Sequence, residues 1–336
     1  MIYNLPKIDL HCHLDGSCPP DILCELALER NIPIPNGSLL GYTQYLEDTL
    51  NCKSLVEYLQ RFDFPISILQ DKEALVKATR AVIKMLDQQG LIYVELRFAP
   101  QQHTHLHLSQ EEALQAVLEG VEKEKQESKI HVEIICCLMN YGDVAINEEA
   151  NYETIDLVSK YLNKGVVLLD IAGAEGSNMM DFEKFFILAS KKKIPYIIHA
   201  GEAGPASNVH QAIMLGASRI GHGVRSIEDS SVVNELIQKQ IPIECCISSN
   251  LNCLVYNDIQ SHPIRKLFDE GVIITINTDN MMFSSTTLDK EYEILQKKFM
   301  FTFDDLLKFN YQSLCAAACS EEVKTYLKRL YFTNLG

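Results

Sequence analysis

A chain of 336 residues, 47% hydrophobic and 22% charged, is long enough to bury roughly three quarters of its unfolded surface and has the composition of a globular enzyme rather than a disordered or fibrous protein. Its formal net charge of −15 argues against a nucleic-acid partner, because neutralising phosphates needs surplus Lys and Arg. No apolar run approaches the ~18 residues of a membrane span, and Met1 to Lys7 lacks the basic and apolar regions of a secretory signal, so a cytoplasmic protein without a membrane partner is expected.

The first strand-like segment is Lys7 to Cys12. Between it and the second, Ile92 to Ala99, residues 14–90 form a long insertion containing Pro19-Pro20, Pro33, Pro35 and Pro65. It is expected to be helical and, coming off the first strand's carboxyl end, to lie over whatever that end opens onto. Six further apolar, β-branched segments follow: Val132 to Met139, Val166 to Ala172, Tyr196 to His199, Arg219 to Gly221, Ile241 to Ile247 and Val272 to Thr278. Helical spacing fills the intervals at Ser109 to Glu127, Tyr152 to Asn163, Asp181 to Lys191 and Ile227 to Lys239. Near-continuous apolar strands alternating with helices indicate a parallel sheet covered on both faces, and eight such units suit a closed (β/α)8 TIM-type barrel of the α/β class. No linker splits the chain, so residues 1–336 read as one domain. The eleven cysteines show no C-x-x-C spacing and read as reduced, mostly buried thiols.

Chemistry gathers at the strand ends. His11 and His13 end the first segment two residues apart, which puts both imidazoles on one face of an extended chain. His199-Ala200-Gly201-Glu202 ends the fifth, Gly221-His222-Gly223 the sixth and Asn277-Thr278-Asp279-Asn280 the eighth. In a β/α barrel all these ends converge on one face, so distant motifs share one pocket. Three imidazoles and a carboxylate, His11, His13, His199 and Asp279, suit zinc better than calcium or magnesium. Zinc that also holds water favours hydrolysis. Glu202 stands beyond the ligand His199 as the general acid, its carboxyl kept protonated by burial. His222, between two glycines, is placed to orient or stabilise the attacking hydroxide.

Other patterns carry less. The run His103-Thr104-His105-Leu106-His107 follows Pro100 and two glutamines and is expected to be a solvated loop. His131-Val132-Glu133 lacks the P-C-x-x-C that would complete a cytidine-deaminase signature. Gly221-His222-Gly223 has Ser226 where a dinucleotide loop needs its third glycine. Lys191 to Lys193 precede the fifth strand at its amino end, the wrong end of the barrel, so a second metal site lacks support.

The chain resembles adenosine deaminases of the amidohydrolase superfamily over nearly its whole length. The resemblance is carried by Pro6 to Ser17, Asp170-Ile171-Ala172-Gly173, His199 to Glu202, Arg219 to Gly223, Ser261-His262-Pro263-Ile264 and Asn277-Thr278-Asp279. It implies one zinc ion on His11, His13, His199 and Asp279, with Glu202 protonating purine N1 and His222 aiding attack at C6. It also implies that Asp15 contacts a ribose hydroxyl and that the backbone N–H of Gly173 meets purine N3. Relatives acting on free adenine usually carry Glu at the position of Asp15, which favours a purine nucleoside as substrate. One departure stands out: many members read Thr-Asp-Asp-Pro where this chain reads Thr278-Asp279-Asn280-Met281. An uncharged amide at Asn280 near purine N7 leaves other 6-aminopurines, adenine or a modified adenosine, as alternatives, and a catalytically silent metal-binding barrel as a more distant one.

Overall fold

The computed structural model describes residues 5–48, 50, 52, 54–175 and 178–333. The ends of the single-domain span read from sequence, and residues 49, 51 and 53 of the insertion, lie outside the described residues.

Among the described residues eight strands form: β1 (Lys7–His13), β2 (Leu91–Phe98), β3 (His131–Asn140), β4 (Val166–Gly173), β5 (Ile198–Ala200), β6 (Ile220–His222), β7 (Ile243–Cys245) and β8 (Ile274–Ile276). All pair in parallel, in the orders β1-β2-β3-β4 and β5-β6-β7-β8. Two seams join these sets into a closed barrel. At one, Leu169 bridges Tyr196 and the Ile197 N–H donates to the Leu169 carbonyl at 3.0 Å. At the other, Cys12 bridges Asp279; the Asp279 N–H donates to the His11 carbonyl at 2.7 Å and the His13 N–H to the Asp279 carbonyl at 2.8 Å.

Strands buried on both faces need partners on both, and the helices between them provide one layer. The helix Gln110–Glu124 starts at a capping box in which Ser109 and Glu112 satisfy each other's backbone N–H groups. The insertion forms the helices Pro20–Glu29, Leu39–Asp48, Leu55–Leu59, Asp63–Ile68 and Lys72–Gln88. Strand limits are less faithful to the sequence pattern in the second half of the barrel: the apolar run Ile241 to Ile247 yields only Ile243–Cys245, because Ile247 already begins the helix Ile247–Asn252. An apolar run looks the same whether the chain stays extended or turns into a buried helix.

All eleven cysteines are free thiols, ten of them buried and Cys315 exposed. Among the described residues no helix is long and apolar enough to cross a membrane.

Candidate active site

The β8–β1 seam builds the centre of the site. Pairing with Cys12 sets Asp279 beside His11 and His13, and its Oδ1 lies 3.5 Å from His11 Nε2 and 3.4 Å from His13 Nε2. His222 (φ 59°), the last residue of β6, and Asp279 (φ 61°), three residues past β8, both hold left-handed backbone. That conformation is uncommon for residues with a side chain and is tolerated where the surroundings over-determine it. The β5 and β6 ends bring in His199 and His222, whose ring centroids lie 4.6 Å and 4.9 Å from that of His11.

Carboxylates behind the rings fix how they face. The His11 Nδ1–H donates to Glu244 at 2.8 Å and the His199 Nδ1–H to Asp170 at 3.1 Å. Each bond leaves an Nε2 lone pair toward the centre, the carboxylate–histidine arrangement that supports a metal ligand. Arg97, fully buried, spans both carboxylates at 2.8 Å each and so ties the two pairs together. Burial would raise the pKa of Asp170, but its contacts with His199 and Arg97 outweigh it and hold the group ionised. Asp279 is likewise held well below the usual carboxylate range, with His11 and His13 overcoming the effect of burial. Burial pushes His13 well below its ordinary value, toward the neutral form that binds metals.

Does this donor set fit a metal? His11 Nε2 is buried without a hydrogen-bond partner, a costly state unless something accepts its lone pair. His11, His13 and Asp279 each offer a ligand atom within 4.8 Å of the others, and so do His11, His199 and His222. The four residues read from sequence as ligands therefore fall in two groups that share His11, with His222 in reach as well. The set fits a cation that takes nitrogen and oxygen donors.

The mouth of the barrel opens to a cavity of about 240 Å³ whose lining includes His13, Asp15, Gly173, Glu202, Asp279 and Asn280. Tyr58, Leu59 and Phe62 of the insertion line the same cavity. Burial, and next the charge of Asp279, raise the Glu202 carboxyl to about 8; its Oε2 stands 3.6 Å from His222 Nε2. Asp15 is buried and its carboxyl raised to about 6. Gly173 has φ 119°, and a Cβ there would lie 2.4 Å from the Asn140 carbonyl oxygen. Only glycine brings the backbone to the cavity at that point. Asn280 donates from Nδ2 to Asp279 Oδ1 at 2.7 Å.

The histidine run after β2 needs a correction. His105 and His107 are exposed, but His103 is fully buried, with Nδ1 2.8 Å from the Leu69 carbonyl oxygen. It anchors the insertion to the barrel, and no metal-type group among the described residues includes it. Several participants escaped the sequence reading. Besides Asp170 and Glu244, Glu175 accepts from the backbone N–H groups of Gly201, Glu202 and Gly204 at 2.7, 3.0 and 2.7 Å, fixing the turn that carries Glu202. A charge inside an apolar strand, as in Leu169-Asp170-Ile171 or Ile243-Glu244-Cys245, was the available signal, since a buried carboxylate demands a partner.

A closed parallel barrel with an imidazole–carboxylate cluster at its mouth defines a metal-dependent amidohydrolase. Residues 6–331 match the family model described as adenosine deaminase. An adenosine deaminase of Haemophilus ducreyi is 40% identical, over 95% of this chain and 94% of its own length. The chain belongs to the adenosine deaminase family, whose members are hydrolases of C–N bonds. In fold it is similar to an adenine deaminase from Arthrobacter aurescens (TM-score 0.88, 23% identity, 98% of each chain). It is also similar to an amidohydrolase from Burkholderia ambifaria solved with bound zinc (TM-score 0.85, 19% identity, 98% of this chain and 90% of that one).

Proposed function

We propose that the protein hydrolyses adenosine and deoxyadenosine to inosine and deoxyinosine, releasing ammonia, with one zinc ion held by His11, His13, His199 and Asp279. The observation that carries this reading is a protonated-carboxyl candidate, Glu202, beside a buried cluster of imidazoles that carboxylates hold in ligating form. Zinc in such a set supplies Lewis acidity, which makes water a nucleophile near neutral pH.

The chain's own residues do the rest. Glu202, neutral because it is buried near Asp279, holds the proton delivered to purine N1 as water adds at C6. His222 aligns the incoming oxygen; of the water's two protons one restores the Glu202 carboxyl and the other leaves with the amino group as ammonia. Asp15 accepts from a ribose hydroxyl, the Gly173 N–H points to N3, and Asn280 meets the N7 side of the base through its amide. Tyr58, Leu59 and Phe62 of the insertion, residues 14–90 of a single-domain chain, cover the base and exclude water. The free thiols suit a reducing compartment, the cytoplasm.

Absorbance loss with adenosine, measured on purified protein before and after chelation, tests the reading. Deamination that chelation abolishes and zinc restores is expected. A protein that releases no ammonia from any 6-aminopurine contradicts it. Asn280 in place of the carboxylate usual at that position favours a second reading, deamination of adenine or a modified adenosine, and the same panel of substrates separates the two by kcat/KM.

A further inference from the structure

Behind His222, away from the cavity, two buried side chains form a line that the reaction as described does not use. Asn250 lies in the helix Ile247–Asn252 after β7, and His262 precedes the helix Ile264–Glu270 that leads to β8. Both are buried, as is His222.

The polarity of this line follows from its far end. The Ile264 backbone N–H, which can only donate, lies 3.3 Å from His262 Nδ1. That nitrogen is therefore the acceptor, and in the neutral ring the proton sits on Nε2. His262 Nε2 lies 3.3 Å from Asn250 Oδ1, so the amide oxygen accepts there. The amide's Nδ2 is left facing His222 Nδ1 at 3.1 Å and donates to it. A nitrogen that accepts carries no proton, which puts the His222 proton on Nε2, the atom 3.6 Å from Glu202 Oε2. Because the direction is set by a backbone N–H, it does not depend on which way the amide of Asn250 is drawn. The weak contact of Cys245 Sγ to His262 Nε2, at 4.0 Å, opposes none of these bonds.

We propose that Asn250 and His262 are positioning residues that lock His222 in its Nε2–H tautomer, so that it meets the attacking oxygen as a hydrogen-bond donor and not as a proton acceptor. This rests on the deaminase reading for its catalytic consequence, but the tautomer itself is a property of the chain. It also divides the labour of the site: proton transfer belongs to Glu202, and His222 contributes alignment and electrostatic stabilisation of the oxygen.

Protein labelled with 15N at its ten histidines tests this by two-bond 15N–1H correlation spectra, with His222 assigned by its loss in His222→Gln. His222 in the Nε2–H form is expected in the native protein and in His262→Gln, which keeps a donor toward Asn250. In Asn250→Leu that form should no longer dominate, and kcat on adenosine should fall on the order of 100-fold with KM changed less than about threefold and zinc content unchanged. A native His222 protonated on Nδ1, or an Asn250→Leu protein whose His222 keeps the native pattern, overturns the proposal. If Asn250→Leu fails to fold, the native spectrum still decides. Absence of deamination in native protein with His222 in the Nε2–H form would overturn the functional reading and leave this inference standing.

Discussion

The two halves of the barrel are built differently. Strands β1 to β4 are seven to ten residues long, whereas β5 to β8 have three each. In the first half the chemistry lies within the strands: His11 and His13 sit in β1 and Asp170 in β4. In the second half it lies at or just past the strand ends: His199 in β5, His222 as the last residue of β6, and Glu202 and Asp279 beyond, on backbone that is left-handed at His222 and Asp279 and held by Glu175 around Glu202. Extended strands give a rigid wall cheaply, while short strands free the chain early enough to swing a side chain over the barrel axis. A proton donor that must reach a substrate belongs on the second kind of support.

The largest expected effect breaks the second half without touching the first. Glu202→Gln keeps shape and polarity but removes the transferable proton, so kcat should fall by about 10²- to 10⁴-fold with zinc content unchanged; steady-state kinetics and metal analysis on one preparation check this. Asp170→Asn sharpens the contrast from the other side. It weakens the support of His199 Nδ1, loosening zinc about 10- to 100-fold in a chelator competition, with kcat of the fully loaded enzyme changed less than in Glu202→Gln. If the two substitutions gave the same pattern, the division between wall and reach would be lost.

The smallest effect belongs to the loop after β2 and concerns stability. His103 is buried, and its pKa is lowered from 6.5 to about 4. Above pH 6.5 the ring is neutral in folded and unfolded chains alike. As the pH falls toward 4 the unfolded chain takes up a proton that the folded one refuses, so stability falls. By that linkage His103 accounts for about 2 kcal/mol of the stability lost between pH 7 and pH 5. Urea unfolding at the two pH values should show a loss smaller by that amount in His103→Gln, and an unchanged loss would refute the assignment.

The same division explains what could be read from the sequence. All eight strands and their order were legible, because each is an apolar run and most are followed by turn residues. The gathering of His11, His13, His199, Glu202, His222 and Asp279 was legible because polar groups capping apolar strands must meet at one rim of such a barrel. Strand limits in the second half were not, since Ile247 is as apolar in a helix as in a strand. The roles of Asp170, Glu244 and Arg97 were hidden because a charge inside an apolar strand signals a buried partner without naming it. His103 was misread because its neighbours His105 and His107 are exposed and its partner, the Leu69 carbonyl, lies in a distant segment.

The central claim is that one cation sits where the two kinds of support meet. Anomalous diffraction from crystals of the zinc-loaded protein, recorded on both sides of the zinc edge, tests it most directly. A single peak bonded by His11, His13, His199 and Asp279, with Glu202 and His222 nearby but not bonded to it, is the result expected. A peak coordinated by His222 in place of His13, or located away from this rim, would contradict the account.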